Sequence, residues 1–118
     1  MISLEIAKEL KKVCEENRVN LPKALWSYDK LTESKHYALW LTSTDKSEIP
    51  AYSLEELLEI LDKNKDYNID IETSLDDDNK RTWVAWYNTS WESNFEEATT
   101  PEDAAGKLLI YLLKKEKI

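Results

Sequence analysis

Glycine is nearly absent from this chain, and so are the residues that most often carry chemistry. The 118 residues contain one glycine, one histidine and one cysteine. Loops that cradle phosphate groups need glycines so that backbone N–H groups can approach the phosphates, so a P-loop or dinucleotide fingerprint is excluded. A single histidine cannot form an HExxH zinc site, and one cysteine excludes an internal disulfide and a multi-cysteine metal site. We therefore expect no catalytic residues, no cofactor and no metal, and we predict that the protein is not an enzyme.

Long apolar runs are missing as well. No stretch of about 18 apolar residues occurs, so the sequence predicts no helix that spans a membrane. The first residues, MISLEIAKELKK, carry charges inside their apolar pattern, which is not typical of a signal peptide. We expect a soluble protein of the cytoplasm, folded as a single domain over residues 1–118.

Acidic residues are in excess, and they are unevenly distributed. The formal net charge is −8. Residues 48–103 carry 16 acidic and 4 basic residues, net −12, whereas residues 1–47 are net +1 and residues 104–118 are net +3. Such a segment repels phosphate backbones, so direct nucleic-acid binding is not expected. A basic protein surface would be attracted instead, although solubility alone is a simpler explanation of the charge.

Hydrophobic periodicity predicts the element order α-β-β-α-β-β-α. Helices are predicted over residues 3–17, 53–63 and 101–116, each with an N-terminal capping signal. Strands are predicted over residues 25–29, 36–43, 67–73 and 82–88. We predict an α+β fold with one antiparallel four-stranded sheet and helices packed on it. SLEIAKEL (3–10) resembles SLEELLEI (53–60), which indicates either two αββ repeats or only the general likeness of capped helices.

The last predicted helix is apolar on most of its circumference. A helix of this kind is buried on more than one side, so we expect either a homodimer or a second layer that covers it. The predicted core consists of apolar residues from two helices and a strand: Leu57, Leu61, Ile69, Ile71, Leu108, Leu109 and Leu112.

Aromatic residues concentrate in RTWVAWYNTSW, residues 81–91, which hold three of the five tryptophans. On a strand, Trp83, Ala85 and Tyr87 share one face, while Val84 and Trp86 share the other. One set can fill the core, and the other is either covered by a helix or exposed as a binding surface. The acids near Trp91 and Phe95 would do acid–base work only if buried, and nothing in the sequence predicts burial. The candidate binding residues are four tryptophans and three of these acids: Trp26, Trp40, Trp86, Trp91, Glu92, Glu96 and Glu97.

The second half of the chain, about residues 50–115, resembles a family of small phage and prophage proteins described as a phage α-β-α sandwich domain. The resemblance is carried by Pro50-Ala51-Tyr52-Ser53 before a helix, by the aromatic strand Thr82-Trp83-Val84-Ala85-Trp86-Tyr87, and by Glu96-Glu97-Ala98-Thr99-Thr100-Pro101 before a closing apolar helix. It implies a sandwich fold and a viral origin, and it implies no known activity. Gly106 departs from the family pattern, and we expect a close helix or chain contact there.

The expected function is non-enzymatic binding by a phage or prophage accessory protein in the bacterial cytoplasm. In one mechanism, the acidic middle of the chain occupies a basic surface of a host defence protein. In another, the tryptophans stack on a small nucleotide, with its phosphates held by a few cations: Lys23, Lys35, Lys80 and Arg81. A third possibility is a structural or oligomerising phage protein that associates through the last helix.

Overall fold

The computed structural model describes residues 1–22, 24–28, 35–37, 49–63 and 68–115, which form an α+β fold. The helices are α1 (Leu4–Asn17), α2 (Leu54–Leu61) and α3 (Pro101–Lys114). The strands are β1 (Trp26–Tyr28), β2 (Lys35–Tyr37), β3 (Ile49–Pro50), β4 (Asn68–Leu75), β5 (Arg81–Asn88) and β6 (Ser93–Ala98). They form two small antiparallel sheets, with strand orders β2-β1-β3 and β4-β5-β6.

The prediction of one four-stranded sheet is wrong. Two of the strands, β3 and β6, lack the sequence pattern from which strands were predicted. β3 is only two residues long and ends at Pro50, yet it pairs with β1. β6 is mostly polar, and it pairs along β5 as the third strand of its sheet. The first strand is central in one sheet and the second strand is central in the other. Two copies of one repeated unit would keep the same strand order, so the strand orders give no support to the αββ repeat.

The three helices begin where their capping residues predict. The hydroxyl of Ser3 accepts a hydrogen bond from the N–H of Ile6, and Thr100 caps α3 in the same way. Ser53 and Glu56 form the predicted capping box at the start of α2. No helix in the described part of the chain combines the length and the apolar character needed to cross a bilayer.

The core is built around α3, which packs against α1, α2, β5 and β6. Five predicted core leucines, at positions 57, 61, 108, 109 and 112, are fully buried together, while Ile69 and Ile71 are half-buried against them. Ile110 is 5% exposed and Tyr111 is half-buried. The apolar circumference of α3 is therefore covered within the monomer, which is the second of the two expected outcomes, and α3 gives no reason to invoke a dimer.

Gly106 lies where α1 crosses α3. A β-carbon at this position would lie 2.8 Å from the Ile6 Cγ2 atom and 3.3 Å from the Ile2 Cγ2 atom. The first distance is shorter than a carbon–carbon contact allows, so the crossing depends on the missing side chain. The predicted close helix contact at Gly106 is confirmed.

Candidate functional site

The two faces of β5 have different environments. Ala85 and Tyr87 are buried in the core beneath α3, and Trp83 packs against the same cluster. Val84 and Trp86 project to the opposite side of the sheet and do not belong to that core cluster. Trp83 and Tyr87 therefore contribute to the core, whereas Trp86 lies on the opposite face of the sheet.

That other face, here called the outer face, is defined by the side chains that share it with Trp86. Residues paired across an antiparallel sheet project to the same side. One row across the sheet holds Asp70, Trp86 and Phe95. The next row holds Glu72, Val84 and Glu97. The outer face is thus an apolar centre with three carboxylates around it.

Trp86 and Phe95 form a tilted aromatic pair on the outer face. Their ring centroids are 4.9 Å apart, with an angle of 41° between the ring planes. Phe95 is 46% exposed, and Trp86 is partly exposed. The indole Nε1 atom is shielded from solvent and has no hydrogen-bond acceptor among the described residues. The exposed part of Trp86 is therefore not its N–H group, and the pair presents aromatic carbon to solvent.

The outer face carries negative charge that the described residues do not neutralise. Asp70, Glu72 and Glu97 are all exposed, and none forms an ion pair with another described residue. The Nζ of Lys107 donates to the backbone oxygen of Glu97, at 2.9 Å, and not to its carboxylate. Arg81 projects to the inner face of the sheet, the side that packs against α3. There its Nη1 atom donates a hydrogen bond to the Thr73 hydroxyl at 3.0 Å. Among the described residues, the side-chain charge on this face is therefore net negative.

The three candidate tryptophans that the structure describes do not come together in one pocket. Trp26 is an exposed residue of β1, in the other sheet. Trp91 is 83% exposed in the turn between β5 and β6, where Thr89 bonds to the backbone of Glu92. Trp40 lies outside the described residues. Of the three that the structure describes, Trp86 is the one that lies on the outer face.

The three candidate glutamates have different positions. The Oε1 atom of Glu92 accepts a hydrogen bond from the Tyr87 hydroxyl at 3.0 Å, so this carboxylate holds the buried tyrosine at the end of the sheet. Glu96 pairs with Ala85 and is half-buried on the inner face. Only Glu97 belongs to the outer face. Sequence reasoning missed Phe95 there, and it treated Asp70 and Glu72 merely as water-facing. The registers of β4 and β6 against β5 show which residues share the face, and sequence alone does not give them.

A second concave feature lies beside the C-terminal half of α1. Its volume is about 450 Å³, and its apolar wall includes Leu10, Cys14, Leu21 and Tyr52. Burial, with the neighbouring Glu15 carboxylate, raises the pKa of the Cys14 thiol to about 11. Burial also raises the pKa of Tyr52, whose hydroxyl donates to the backbone oxygen of Pro22 at 2.5 Å. Burial thus disfavours the thiolate and the phenolate, so neither group has the activation that a nucleophile or a base requires.

The acidic stretch Asp76-Asp77-Asp78-Asn79 forms the hairpin turn between β4 and β5. The Oδ1 atom of Asp76 accepts hydrogen bonds from the backbone N–H groups of Asp78 and Lys80, at 3.0 and 2.8 Å. Asn79 has a φ of 63°, in the left-handed region that asparagine tolerates. Within the described ranges, no group of three or more histidine, cysteine or acidic side chains is arranged to hold a metal ion.

The described residues thus present a partly exposed aromatic pair with exposed carboxylates beside it, on the sheet face opposite α3. We compared the chain with models of protein families, with curated proteins and with solved structures, and none of the three comparisons found a match.

Proposed function

We propose that this protein is a non-enzymatic binding protein that docks its outer face on a basic surface of another protein. The observation that carries the proposal is the Trp86–Phe95 pair lying beside the exposed carboxylates of Asp70, Glu72 and Glu97. Buried aromatic anchors contribute much of the energy in protein interfaces, and charges at the rim set specificity and association rate. The outer face combines both features.

The charge distribution of the chain supports the same partner chemistry. Residues 48–103, which include every residue of the outer face, carry 16 acidic and 4 basic residues, net −12. A field of this sign accelerates encounter with a basic surface and suppresses encounter with an acidic one. The preferred partner is therefore a protein with a positive patch, as nucleic-acid-binding proteins have.

Nucleotide stacking has less support. Carboxylates next to Trp86 would repel phosphate groups. Of the four candidate cations, Lys23 lies outside the described residues, as does the side chain of Lys35. Lys80 lies in the hairpin turn, and Arg81 bonds to Thr73 on the inner face. Self-association through the outer face is also disfavoured, because it would place six carboxylates in one interface.

The biological setting that we propose follows from the family resemblance. A phage or prophage accessory protein that occupies the basic nucleic-acid groove of a host defence protein would block that groove without any catalytic residue. The acidic outer face would take the place of the nucleic acid, and the aromatic pair would provide the contact that holds the complex together.

The proposal is tested by measuring binding to a panel of purified bacterial DNA- and RNA-binding proteins, at low and high salt, beside a panel of nucleotides. We expect a basic protein to bind with an on-rate that falls steeply as salt rises, because exposed charges are screened beyond about 8 Å at physiological ionic strength. Tight binding of a nucleotide, with little salt dependence and with no protein partner, would show that the proposal is wrong.

A matched pair of variants distinguishes the effect of charges on the outer face from the effect of the net charge of the protein. The test variant reverses Asp70, Glu72 and Glu97 to lysine. The control variant reverses three exposed acids elsewhere, Glu16, Glu59 and Asp62, and so changes the net charge by the same amount. We expect the test variant to lose binding and the control to keep most of it. Equal losses in the two variants would contradict docking through the outer face.

A further inference from the structure

We infer that the edge of β4 binds an extended strand of the basic partner, in which apolar and cationic side chains alternate. This inference rests on the proposed function, since it specifies how the partner presents its positive charge. It adds backbone hydrogen bonds along Asn68–Leu75, which docking through side chains alone would not make.

β4 lies at one edge of the β4-β5-β6 sheet, so half of its backbone groups point away from β5. The N–H of Asp76 donates to the carbonyl oxygen of Lys80, at 2.9 Å. This bond continues the register of the two strands, so the residues of β4 that bond to β5 lie an even number of positions before Asp76. The backbone N–H and C=O groups of Ile69, Ile71 and Thr73 therefore point to the edge. Among the described residues, these N–H groups have no hydrogen-bond acceptor.

The opposite edge of this sheet, formed by β6, is partly closed by a side chain. There the Nζ of Lys107 donates to the backbone oxygen of Glu97, at 2.9 Å. No described residue makes a comparable contact with the outward backbone groups of Ile69, Ile71 or Thr73. β4 is eight residues long and contains no proline. Its edge can therefore pair with a strand of several residues.

The inner side of the β4 edge has apolar surface that an added strand would cover. α3 packs against β5 and β6, where Ala85 and Tyr87 are fully buried. On β4, by contrast, Ile69 and Ile71 are only half-buried. A depression of about 250 Å³ lies beside Ile69, and its wall includes the exposed Leu58 of α2. A strand beside β4 would bury this surface with the apolar side chains that it directs inward.

The charges around the β4 edge favour a cationic strand. Asp70 and Glu72 project from β4 to the outer face, and both are exposed. Glu59 and Asp62 line the depression on the inner side. Side chains on neighbouring strands lie next to each other, so cations on the outward side of an added strand would meet Asp70 and Glu72.

A second copy of this chain fits the β4 edge less well. Antiparallel pairing of two β4 strands would place Asp70 and Glu72 of one copy beside the same carboxylates of the other. Like charges on adjacent strands destabilise the pairing, and charged edge strands discourage self-association in this way. The charges that repel a second copy attract a basic strand, so a partner protein is the occupant that we infer.

The first test measures hydrogen exchange of the full chain by NMR, with and without a seven-residue peptide of alternating lysine and valine. We expect the peptide to slow exchange of the N–H groups of Ile69, Ile71 and Thr73 about tenfold, because it supplies their missing acceptors. The N–H groups of Asp70 and Glu72 already bond to β5 and should change little. Unchanged exchange at Ile69, Ile71 and Thr73 in a saturated complex would overturn the inference.

Two modified peptides test whether the contact is a strand pairing. One carries a methyl group on the backbone nitrogen of every valine, and the other on that of every lysine, so both keep the charge and the side chains. Each lacks the N–H donors along only one of its two edges. We expect one version to bind about tenfold more weakly than the unmodified peptide in calorimetry at low salt, and the other to bind nearly as well. Equal affinities of the two versions would overturn strand addition.

A matched pair of variants locates the strand beside α2. Leu58→Lys places a cation in the depression, whereas Leu25→Lys adds the same charge at another exposed leucine. We expect Leu58→Lys to weaken peptide binding about tenfold and Leu25→Lys to weaken it much less. Equal effects would contradict a strand that covers the depression. Thermal unfolding of both variants confirms that they remain folded.

The outcomes separate this inference from the proposed function. Peptide binding that ignores the methylation pattern, but is weakened by reversal of Asp70, Glu72 and Glu97 to lysine, would overturn strand addition and leave docking through the outer face in place. Absence of peptide binding beside tight binding of a basic protein would do the same. Absence of both would overturn the proposed function as well. A dimer that protects the N–H groups of the β4 edge without peptide would assign the edge to a second copy and overturn the inference.

Discussion

At the scale of single residues, the substitution Leu109→Ala tests whether α3 fills the core. Its side chain is fully buried in α3, among residues of every helix. Truncation of a buried leucine removes apolar contacts and leaves a cavity, so we expect Leu109→Ala to lower the free energy of unfolding by about 2–5 kcal/mol. Urea denaturation measures this loss. Leu75→Ala is the control, because Leu75 is 60% exposed and its loss should stay within about 0.5 kcal/mol. A similarly small loss for Leu109→Ala would mean that α3 does not fill the core.

Cys14 should make stability depend on pH in the alkaline range. Burial raises the pKa of its thiol from 9.0 to about 11 in the folded protein, so folding favours the protonated form. The unfolded chain loses this proton at lower pH than the folded chain does. The resulting stabilisation is fully present below pH 9 and is lost as the pH rises towards about 11.

The measurement is the difference between two stability profiles. The free energy of unfolding is recorded from pH 7 to 11 for the wild type and for Cys14→Ala, because other groups that titrate in this range contribute equally to both. We expect the wild type to lose more stability between pH 9 and 11 than the variant does. Parallel profiles would show that the thiol is not shielded, and fast alkylation of Cys14 by iodoacetamide at pH 7.5 would show the same.

At the scale of elements, the crossing of α1 and α3 depends on Gly106. Replacing a glycine inside a helix by alanine normally gains about 1 kcal/mol of helix stability. Here the new methyl group would overlap Ile6 Cγ2, a branch that is stiff because it is attached to the β-carbon. Overpacking of this kind costs about 1–3 kcal/mol. We expect Gly106→Ala to be neutral to destabilising by about 2 kcal/mol, as measured by urea denaturation.

A double-mutant cycle isolates the clash from the helix propensity. Ile6→Ala removes the Cγ2 atom that a methyl group at position 106 would meet. In that background we expect Gly106→Ala to stabilise the protein by up to about 1 kcal/mol, since the propensity gain is then opposed only by the milder contact with Ile2 Cγ2 at 3.3 Å. The same change in free energy in both backgrounds would contradict a direct contact between the two positions.

The helices were predictable from sequence because their signals are local. A capping residue followed by an apolar stripe specifies where a helix begins, and Ser3, Ser53 and Thr100 each cap a helix in the structure. The missing strands depend on partners that are distant in sequence or on residues that look polar. Ile49 and Pro50 become a strand only by pairing with Ser27 and Tyr28. Burial alternates strictly along β6, but the sequence hides this alternation, because the apolar Phe95 is on the exposed side and the polar Asn94 and Glu96 are on the half-buried side.

At the scale of the whole molecule, we expect charge to set the association rate of a partner. We expect the aromatic pair to set the dissociation rate of the complex. We expect the triple reversal of Asp70, Glu72 and Glu97 to lower the on-rate of a basic protein partner. Trp86→Ala should chiefly raise the off-rate, because losing an anchor shortens the residence time of a complex. Surface-immobilised kinetics at two salt concentrations measure both rates. An on-rate that the reversal leaves unchanged would exclude electrostatic steering through this face.

The candidate site was only partly predictable because it is assembled from three strands. The alternation in residues 81–91 correctly placed Trp86 on the face opposite Ala85 and Tyr87. It could not show which face α3 covers, since that depends on packing. Glu92 and Glu96 looked equivalent to Glu97 in sequence. The turn bonds Glu92 to Tyr87, and the pairing of β6 turns Glu96 inward, so only Glu97 reaches the outer face.

The short strand β3 has a consequence for strand addition at one edge of its sheet. It is the last strand of the β2-β1-β3 sheet, and an edge strand with free N–H groups invites another chain to add to the sheet. The N–H of Ala51 donates inward, to the Trp26 carbonyl at 2.8 Å. The backbone of Pro50, one residue earlier, therefore points away from β1, where an incoming strand would seek a donor. Proline has no N–H group to offer, so the sheet cannot be extended by regular strand addition at that position.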